Sequence, residues 1–531
     1  MAEKIPRRTL LKSAALGLAL APAAVQARAG IEGQRQADLG NGQYLNPIIA
    51  GDHADPTVLK DGTDYYMTHS SFQSCPGAVI WHSRDLVNWA PICAALQTFI
   101  GTVWAMDLVK HAGRYFLYIP VLQDAGTGVY VIHADDLRGP WSEPIDLKIP
   151  GCIDPGHVVG EDGKRYLFVN GGRRVLLADD GLATASPLQE NAWKPWQYPA
   201  DWEVEMFAAE GPKLFRRGEW FYLVSAVGGT SGPPTSHMVT VARSRSVHGP
   251  WEDCPHNPVV HTKSIREPWW SRGHASVVEG PAGDWWLVYH GYENGFQTLG
   301  RQTLLEPIRW TADGWFHAAG GTLDRPLPKP RGGAPSPAGF ALSDDFSTTR
   351  RLGTQWSFFA PGANETSRLT YEDRALVIQA KGTTLADCSP LTCITGDPAY
   401  EASVELEMLG EDAQGGLSLF YNERAFAGVG FGGGQMCTYN HGQEHSWMRE
   451  PFAGKRVHLR VRNRAHIVSF HYSTDGRRWT QHPWQMELSG LHHNSFGGFL
   501  SLRIGVFSIG RGQVRVRNFK YRAVDAREPR I

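Results

Sequence analysis

Five polar residues open five similar stretches within the first 300 residues. They are Asp55 in ADPTVLKDGTDYYMT, Asp107 in MDLVKHAGRYFLYI, Asp154 in IDPGHVVGEDGKRYLFV, Glu210 in AEGPKLFRRGEWFYLVSA and His274 in GHASVVEGPAGDWWLVYHG. They stand 52, 47, 56 and 64 residues apart. Asp55 and Asp154 each precede Pro, and Glu210 precedes Gly-Pro. One Asp-Pro is usually only a turn; three carboxylates in phase within a repeat are far more specific. Carboxylates gathered in one cavity shift each other's pKa, so a chain rarely gathers them for structure alone. The chemistry that uses them around a sugar-sized pocket is glycoside hydrolysis. A protonated acid donates to the leaving oxygen, a carboxylate base activates water, and a third carboxylate holds the acid's pKa high.

That chemistry needs elements that bring residues 50 positions apart to one place. In each stretch a short apolar run, a Gly-bearing turn and an aromatic-rich run follow the polar residue, which is strand-and-hairpin chemistry. A period near 50 residues with several strands per unit predicts a β-propeller, one blade per repeat. The same position in every blade then faces one central channel, and the five residues are expected to start the innermost strands. The residue before Pro is held extended, and Pro at a strand's first position loses no ladder bond. The predicted class is all-β: a five-bladed propeller over 42–325, a Pro/Gly-rich linker over 326–341 that is expected not to pair in a sheet, and an antiparallel β-sandwich over 342–525. The sandwich is expected to lend a loop to the pocket, with Gly432-Gly433-Gly434-Gln435-Met436 as one candidate.

Composition narrows the partners. With 52 Lys+Arg against 53 Asp+Glu the net charge is −1. No basic excess exists to neutralise phosphates, so nucleic acid is not an expected partner. Residues 1–29 read as an export signal: Arg7-Arg8 before Leu10-Leu11-Lys12, the apolar run Ser13 to Ala24, then small residues around Ala27 and Ala29. The Arg pair points to twin-arginine export, and an ordinary secretory signal shares the same layout. A periplasmic or secreted location is expected, with no membrane span. The seven Cys show no zinc spacing. Cys388 and Cys393 are candidates for a bridge after export, with buried free thiols expected for most of the others.

GDHADPTVLKDGTDYYMTHSSF, the WAMD stretch, CIDPGHVVGEDGKRYL, AEGPKLFRRGEWFYLVSA, GHASVVEG and LGRQTLLEPIRW together resemble glycoside hydrolase family 43. The downstream region opening DDFSTTRRLGTQW resembles the C-terminal domain of many of that family's β-xylosidases. The resemblance implies β-xylosidase or α-L-arabinofuranosidase activity on oligosaccharides, with inversion at the anomeric carbon. It implies that Asp55 is the general base, that Asp154 orients the acid and tunes its pKa, and that Glu210 is the general acid. Trp104 and Phe72 match the aromatic walls of the sugar pocket, and Arg301 matches the arginine that meets substrate beside the carboxylates. His274 matches the channel histidine, which in some relatives is linked through water to a calcium ion; the reaction itself requires no cofactor. Asp107 would support the site rather than react. Met106 in WAMD and Ile153 before Asp154 depart from the family's usual residues, which leaves the fine sugar preference open.

Two other functions use part of this pattern. A non-catalytic carbohydrate-binding propeller would keep the aromatics but has no need of Asp55, Asp154 and Glu210 together. A retaining glycosidase on a related scaffold would set its carboxyls about 5–5.5 Å apart rather than about 6.5–9.5 Å.

Overall fold

The computed structural model describes residues 29–347 and 351–525. The Arg7-Arg8 pair and its apolar run lie outside the described residues.

Five hairpins form where the repeats predict them. The innermost strands are Thr57–Asp61, Asp107–His111, Gly156–Val159, Glu210–Arg217 and Trp269–Glu279. Each pairs antiparallel with the next strand of its own blade: Asp64–Thr68, Arg114–Gln123, Arg165–Val169, Trp220–Val227 and Trp285–Glu293. The turns between them need a left-handed residue, and each blade supplies glycine there: Gly62, Gly113, Gly163, Gly218 and Gly283 all have φ between 61° and 83°. The inner strands adjoin in a ring, the fifth returning to the first.

The core explains the alternating sequence. There is one apolar cluster for each blade interface. Ile80 and Leu117 meet between the first two blades, Tyr118 and Leu167 between the second and third, and Phe168 and Leu223 between the third and fourth. Val224 and Leu287 join the fourth to the fifth, and Trp286 and Met67 close the ring. Adjacent residues such as Leu117 and Tyr118 face opposite clusters, because successive strand side chains point to opposite faces. The segment before the first blade ties the closure. Ile48 donates its amide to Thr303 O (2.9 Å) and Tyr44 donates its hydroxyl to Leu305 O (2.8 Å).

Three expectations about the fold are corrected. The third blade has three strands rather than four; beyond Arg173–Leu176 two isolated bridges, Arg174 to Gln189 and Leu177 to Thr184, continue it among the described residues. The chain from there to Glu210 is irregular and carries Pro187, Pro195 and Pro199, which cannot donate to a ladder. Only Asp107 and Glu210 start their strands: Asp55 and Asp154 stand two residues ahead of theirs, and His274 lies inside Trp269–Glu279, within the register shift between Gly273 and Ser276. The linker does pair: Leu327–Pro328 bonds antiparallel to Gln43–Tyr44. Proline is tolerated there because the sheet has only two strands and its partner face is an edge. Lys329 reaches Asp38 and Asp85, and Gly339 donates to Trp89 O, so the linker is strapped to the propeller.

The sandwich stacks a seven-stranded sheet on a nine-stranded one. The larger sheet ends on the propeller itself: Ser357–Phe359 pairs with Ser74–Cys75. Its core includes the propeller residues Ala54 and Phe72. All seven Cys are free. The expected Cys388–Cys393 bridge is absent, and both thiols are buried among apolar neighbours.

Candidate active site

The channel carboxylates are presented by a distorted backbone. Asp55, Asp154 and His274 have φ of 57°, 56° and 61°, so the two residues before Pro are left-handed rather than extended as expected, and in the Glu210 strand the next residue, Gly211, takes φ 61°. A left-handed residue at the same point of four blades turns each inner strand and aims the polar side chain inward. For a non-glycine residue this conformation costs on the order of 1–3 kcal/mol and persists where the surroundings over-determine it. Asp107 has no such kink. Its carboxylate accepts from Thr57 Oγ1 (3.0 Å), the His157 amide (2.7 Å) and Lys213 Nζ (3.0 Å), and Lys213 also donates to Met106 O and Pro155 O. Asp107 therefore ties neighbouring blades together beneath the site, the supporting place expected for it.

Asp55 is 4 % exposed and densely held. Arg301 binds it with both arms of its guanidinium (2.9 and 3.2 Å), and Ser70 Oγ donates at 2.6 Å. Nδ1 of His290 lies 3.0 Å and Nδ1 of His274 3.4 Å from Oδ1. Burial alone would raise this carboxyl, but the Arg301 charge together with His274 and His290 outweighs it and holds Asp55 well below the usual carboxylate range. Burial pushes His274 down to about 3 and His290 to about 4, so both are neutral at ordinary pH and the permanent cation is Arg301.

Asp154 and Glu210 fare differently. Burial, then the Asp55 charge, raises Asp154. Burial, then Asp154 and Asp55, raises Glu210 well above the usual range. Asp154 accepts from the Gly211 amide (3.2 Å), which ties it to the strand that carries Glu210. Asp154 is 3 % exposed, whereas Glu210 keeps part of its surface open although protein surrounds its carboxyl. Of the three carboxyls, Asp55 is held ionised and Glu210 protonated, with Asp154 between them, the division that general acid–base catalysis needs.

The expected aromatic walls lie where the two domains meet. Phe72 is buried, with φ 51°, and its backbone bonds to Val103 in both directions (2.8 and 2.9 Å). Its ring stacks on Phe499 (centroids 6.5 Å apart), and the Arg301 guanidinium lies 5.6 Å from Phe72 and 5.2 Å from Phe499. Trp104 follows Val103 and packs against the sandwich core. The sandwich does lend a segment to the pocket, but it is the one around Phe499, not the Gly432–Met436 turn. That turn closes a hairpin inside the sandwich sheet, between Ala425–Gly432 and Gln435–Asn440. Sequence reasoning missed Phe499, Ser70, His290 and His237; the Gly497-Gly498 pair marks a loop at Phe499 but not its destination.

His274 was expected to face a calcium ion through water. The nearest donor set among the described residues is Glu210, His237 and His274, whose ligand atoms lie within 4.8 Å of one another. The Nε2 atoms of His237 and His274 have no hydrogen-bond partner among the described residues. Two imidazole nitrogens and one carboxylate do not fit calcium, which takes six to eight oxygens.

Known proteins are similar to this chain in both regions. Residues 343–522 match the beta-xylosidase C-terminal concanavalin A-like domain. A xylan 1,3-beta-xylosidase of Vibrio sp is 30% identical over 322 residues, 52% of this chain and 58% of that one. A non-reducing end alpha-L-arabinofuranosidase of Bacteroides ovatus is 30% identical over 361 residues, 64% of this chain and 65% of that one. The chain thus spans less than two thirds of the length of these curated relatives. The crystal structure of the GH43 protein BlXynB from Bacillus licheniformis superposes over 91% of this chain and 100% of that one, with a TM-score of 0.80 and 25% identity. The model of glycosyl hydrolases family 43 matches residues 44–316, about half of the chain, and takes in all five inner strands with every carboxylate of the channel, so the chain belongs to that family.

Proposed function

We propose that this protein is an inverting glycosidase that releases xylose or arabinose from oligosaccharides, β-xylosidase first and α-L-arabinofuranosidase second. The observation that carries the reading is the opposite fate of two carboxyls in one channel: Asp55 ionised against Arg301, Glu210 protonated beside Asp154. Asp55 draws a proton from water, which attacks the anomeric carbon. Glu210 gives its proton to the departing glycosidic oxygen. Asp154 keeps Glu210 protonated until that moment and fixes its strand through Gly211. The names of the family relatives supply the sugars. A panel of nitrophenyl xyloside, arabinofuranoside and galactoside tests the substrate, and NMR of the first-formed anomer tests inversion. A protein that binds these sugars and releases none is a binding propeller instead, and retained configuration would make it a retaining enzyme.

The reading includes export through the twin-arginine route and activity without a metal. Arg7→Lys with Arg8→Lys is expected to stop export, and undiminished export would favour the general secretory route. Activity is expected to survive exhaustive chelation; loss restored by calcium would place an ion in the channel.

A further inference from the structure

Arg301 stands between two buried aspartates. One is Asp55, which it binds with both arms of its guanidinium at 2.9 and 3.2 Å. The other is Asp52, whose side chain is fully buried. Asp52 packs so closely against Gly300 that a Cβ there would come within 2.6 Å of its carboxylate. Burial raises the Asp52 carboxyl; the Arg503 charge first, then the charge and the backbone amide of Arg301, work against that and favour its ionised form, and in turn both aspartates favour charged Arg301. A second cation keeps the two carboxylates from competing for this one. Arg503, at the start of the sandwich strand Arg503–Gly510, places Nη2 3.4 Å from Asp52 Oδ2 and donates from Nη1 to Ser74 Oγ. It is itself only 2 % exposed. The same stretch of sandwich grips the turn that leads into Arg301: Leu502 donates its amide to Thr298 O (2.8 Å), and the Phe499 ring lies against the guanidinium.

We propose that Arg503 is a positioning residue for the reaction: by satisfying Asp52 across the domain boundary it leaves Arg301 on Asp55, so the sandwich takes part in arming the base. This rests on Asp55 being the base. The argument is one of charge counting. Two buried carboxylates face two guanidiniums, and a buried carboxylate left without a partner is costly enough to draw in the nearest cation. Without Arg503 that cation is Arg301, and Asp55 loses part of its bidentate bond. The remaining groups facing Asp55 do not replace it. Ser70 and the imidazoles of His274 and His290 also favour ionised Asp55 but carry no permanent charge, and Asp154 repels.

Arg503→Gln, Asp52→Asn and the double variant, each measured per folded enzyme, test this. Arg503→Gln is expected to lower kcat/KM about tenfold or more, part of the roughly 10²–10⁴-fold that a general base contributes, and to move the acidic limb of the pH profile upward. Asp52→Asn is expected not to move that limb upward. The double variant removes the competing carboxylate with its partner and is expected to regain most of the lost kcat/KM and the original limb. A merely structural ion pair changes thermal stability and leaves the limb in place. If the double variant is as slow as, or slower than, Arg503→Gln, the proposal fails. If Arg503→Gln does not fold, Arg503→Lys carries the test, because one cation still satisfies Asp52; an upward-shifted limb in that variant also overturns the proposal. A crystal structure of Arg503→Gln, or of Arg503→Lys should Gln not fold, decides the matter apart from activity. With Gln, the Arg301 guanidinium should turn toward Asp52, and an unmoved guanidinium refutes the idea; with Lys it should stay on Asp55. Wild-type enzyme inactive on every glycoside would instead sink the proposed function and leave that structural readout standing.

Discussion

Asp55 faces a guanidinium, a serine hydroxyl and two neutral imidazoles, while Glu210, three blades further on, faces a second carboxylate, Asp154. Both carboxyls are buried, so burial pushes both toward the neutral form. The Asp55 side overcomes that push with one permanent cation, Arg301, and the two imidazoles of His274 and His290. The Glu210 side adds to it with negative charge. Shared desolvation therefore does not assign the roles; the neighbour that accompanies it does.

The largest expected effect separates the two sides directly. Asp55→Asn should lower kcat about 10²–10⁴-fold for every substrate, because water must be activated whatever leaves. Glu210→Gln should cost as much for alkyl and sugar leaving groups but far less for acidic phenols, which depart without a proton. Rates of both variants against leaving-group acidity check this. Equal losses for Glu210→Gln across the series would mean that Glu210 is not the proton donor.

Asp154→Asn weakens the Glu210 side alone. Burial still raises Glu210, but the negative neighbour is gone, so its pKa falls. The enzyme needs Glu210 protonated, and the basic limb of kcat/KM should therefore move to lower pH. The acidic limb, set by Asp55, should not rise, since Asp55 also loses a repelling neighbour. A basic limb that stays in place would remove Asp154 from the tuning role.

A smaller loss tests the wall between the domains. Phe499→Ala removes a ring from Phe72 and from the Arg301 guanidinium. Aromatic pairs contribute about 0.5–1.5 kcal/mol beyond their burial, so a rise in KM of roughly three- to tenfold is expected, with kcat less affected. An unchanged KM would mean that the sandwich segment covers the pocket without shaping it.

The propeller was legible because its signals are local and repeated. The in-phase polar residues, the five Gly-bearing turns and the alternation of Leu117 with Tyr118 each reflect one blade's own geometry. The carboxylate trio followed from that phase. The supporting residues did not. His290 and His237 sit in or beside second and third strands, where a polar residue in an alternating run looks like any solvent-facing position, yet both are fully buried. Asp55, Asp154 and His274 adopt left-handed backbone without a glycine to announce it. Phe499 and Arg503 reach the site from more than 400 positions beyond Phe72 and Ser74, and no local pattern encodes a contact across a domain boundary. The Pro328 pairing was hidden for the opposite reason: proline's local rule forbids central strands but permits an edge, and only the folded partner shows which applies.

The smallest expected effect is on stability, and it is the least dependent on any substrate. Glu210 has a native pKa raised above its unfolded value. From about pH 4.3 upward the unfolded chain releases this proton, while the native state keeps it until its own higher pKa is reached. The native state therefore binds more protons in that window, and stability falls as pH rises through it, by about 1.4 kcal/mol for each unit of separation. Gln is a neutral stand-in of the same shape and does not titrate. Glu210→Gln should unfold at nearly the wild-type temperature near pH 4, and then at a progressively higher temperature than wild type as pH rises toward 7. Asp55→Asn should do the reverse, because a depressed carboxylate stabilises the native state above its unfolded pKa and that contribution is lost in the variant. Thermal midpoints of the three proteins across this range check both signs at once. Parallel curves for wild type and Glu210→Gln would mean that the Glu210 carboxyl titrates as it does in the unfolded chain, and the contrast between the two sides of the channel would no longer hold.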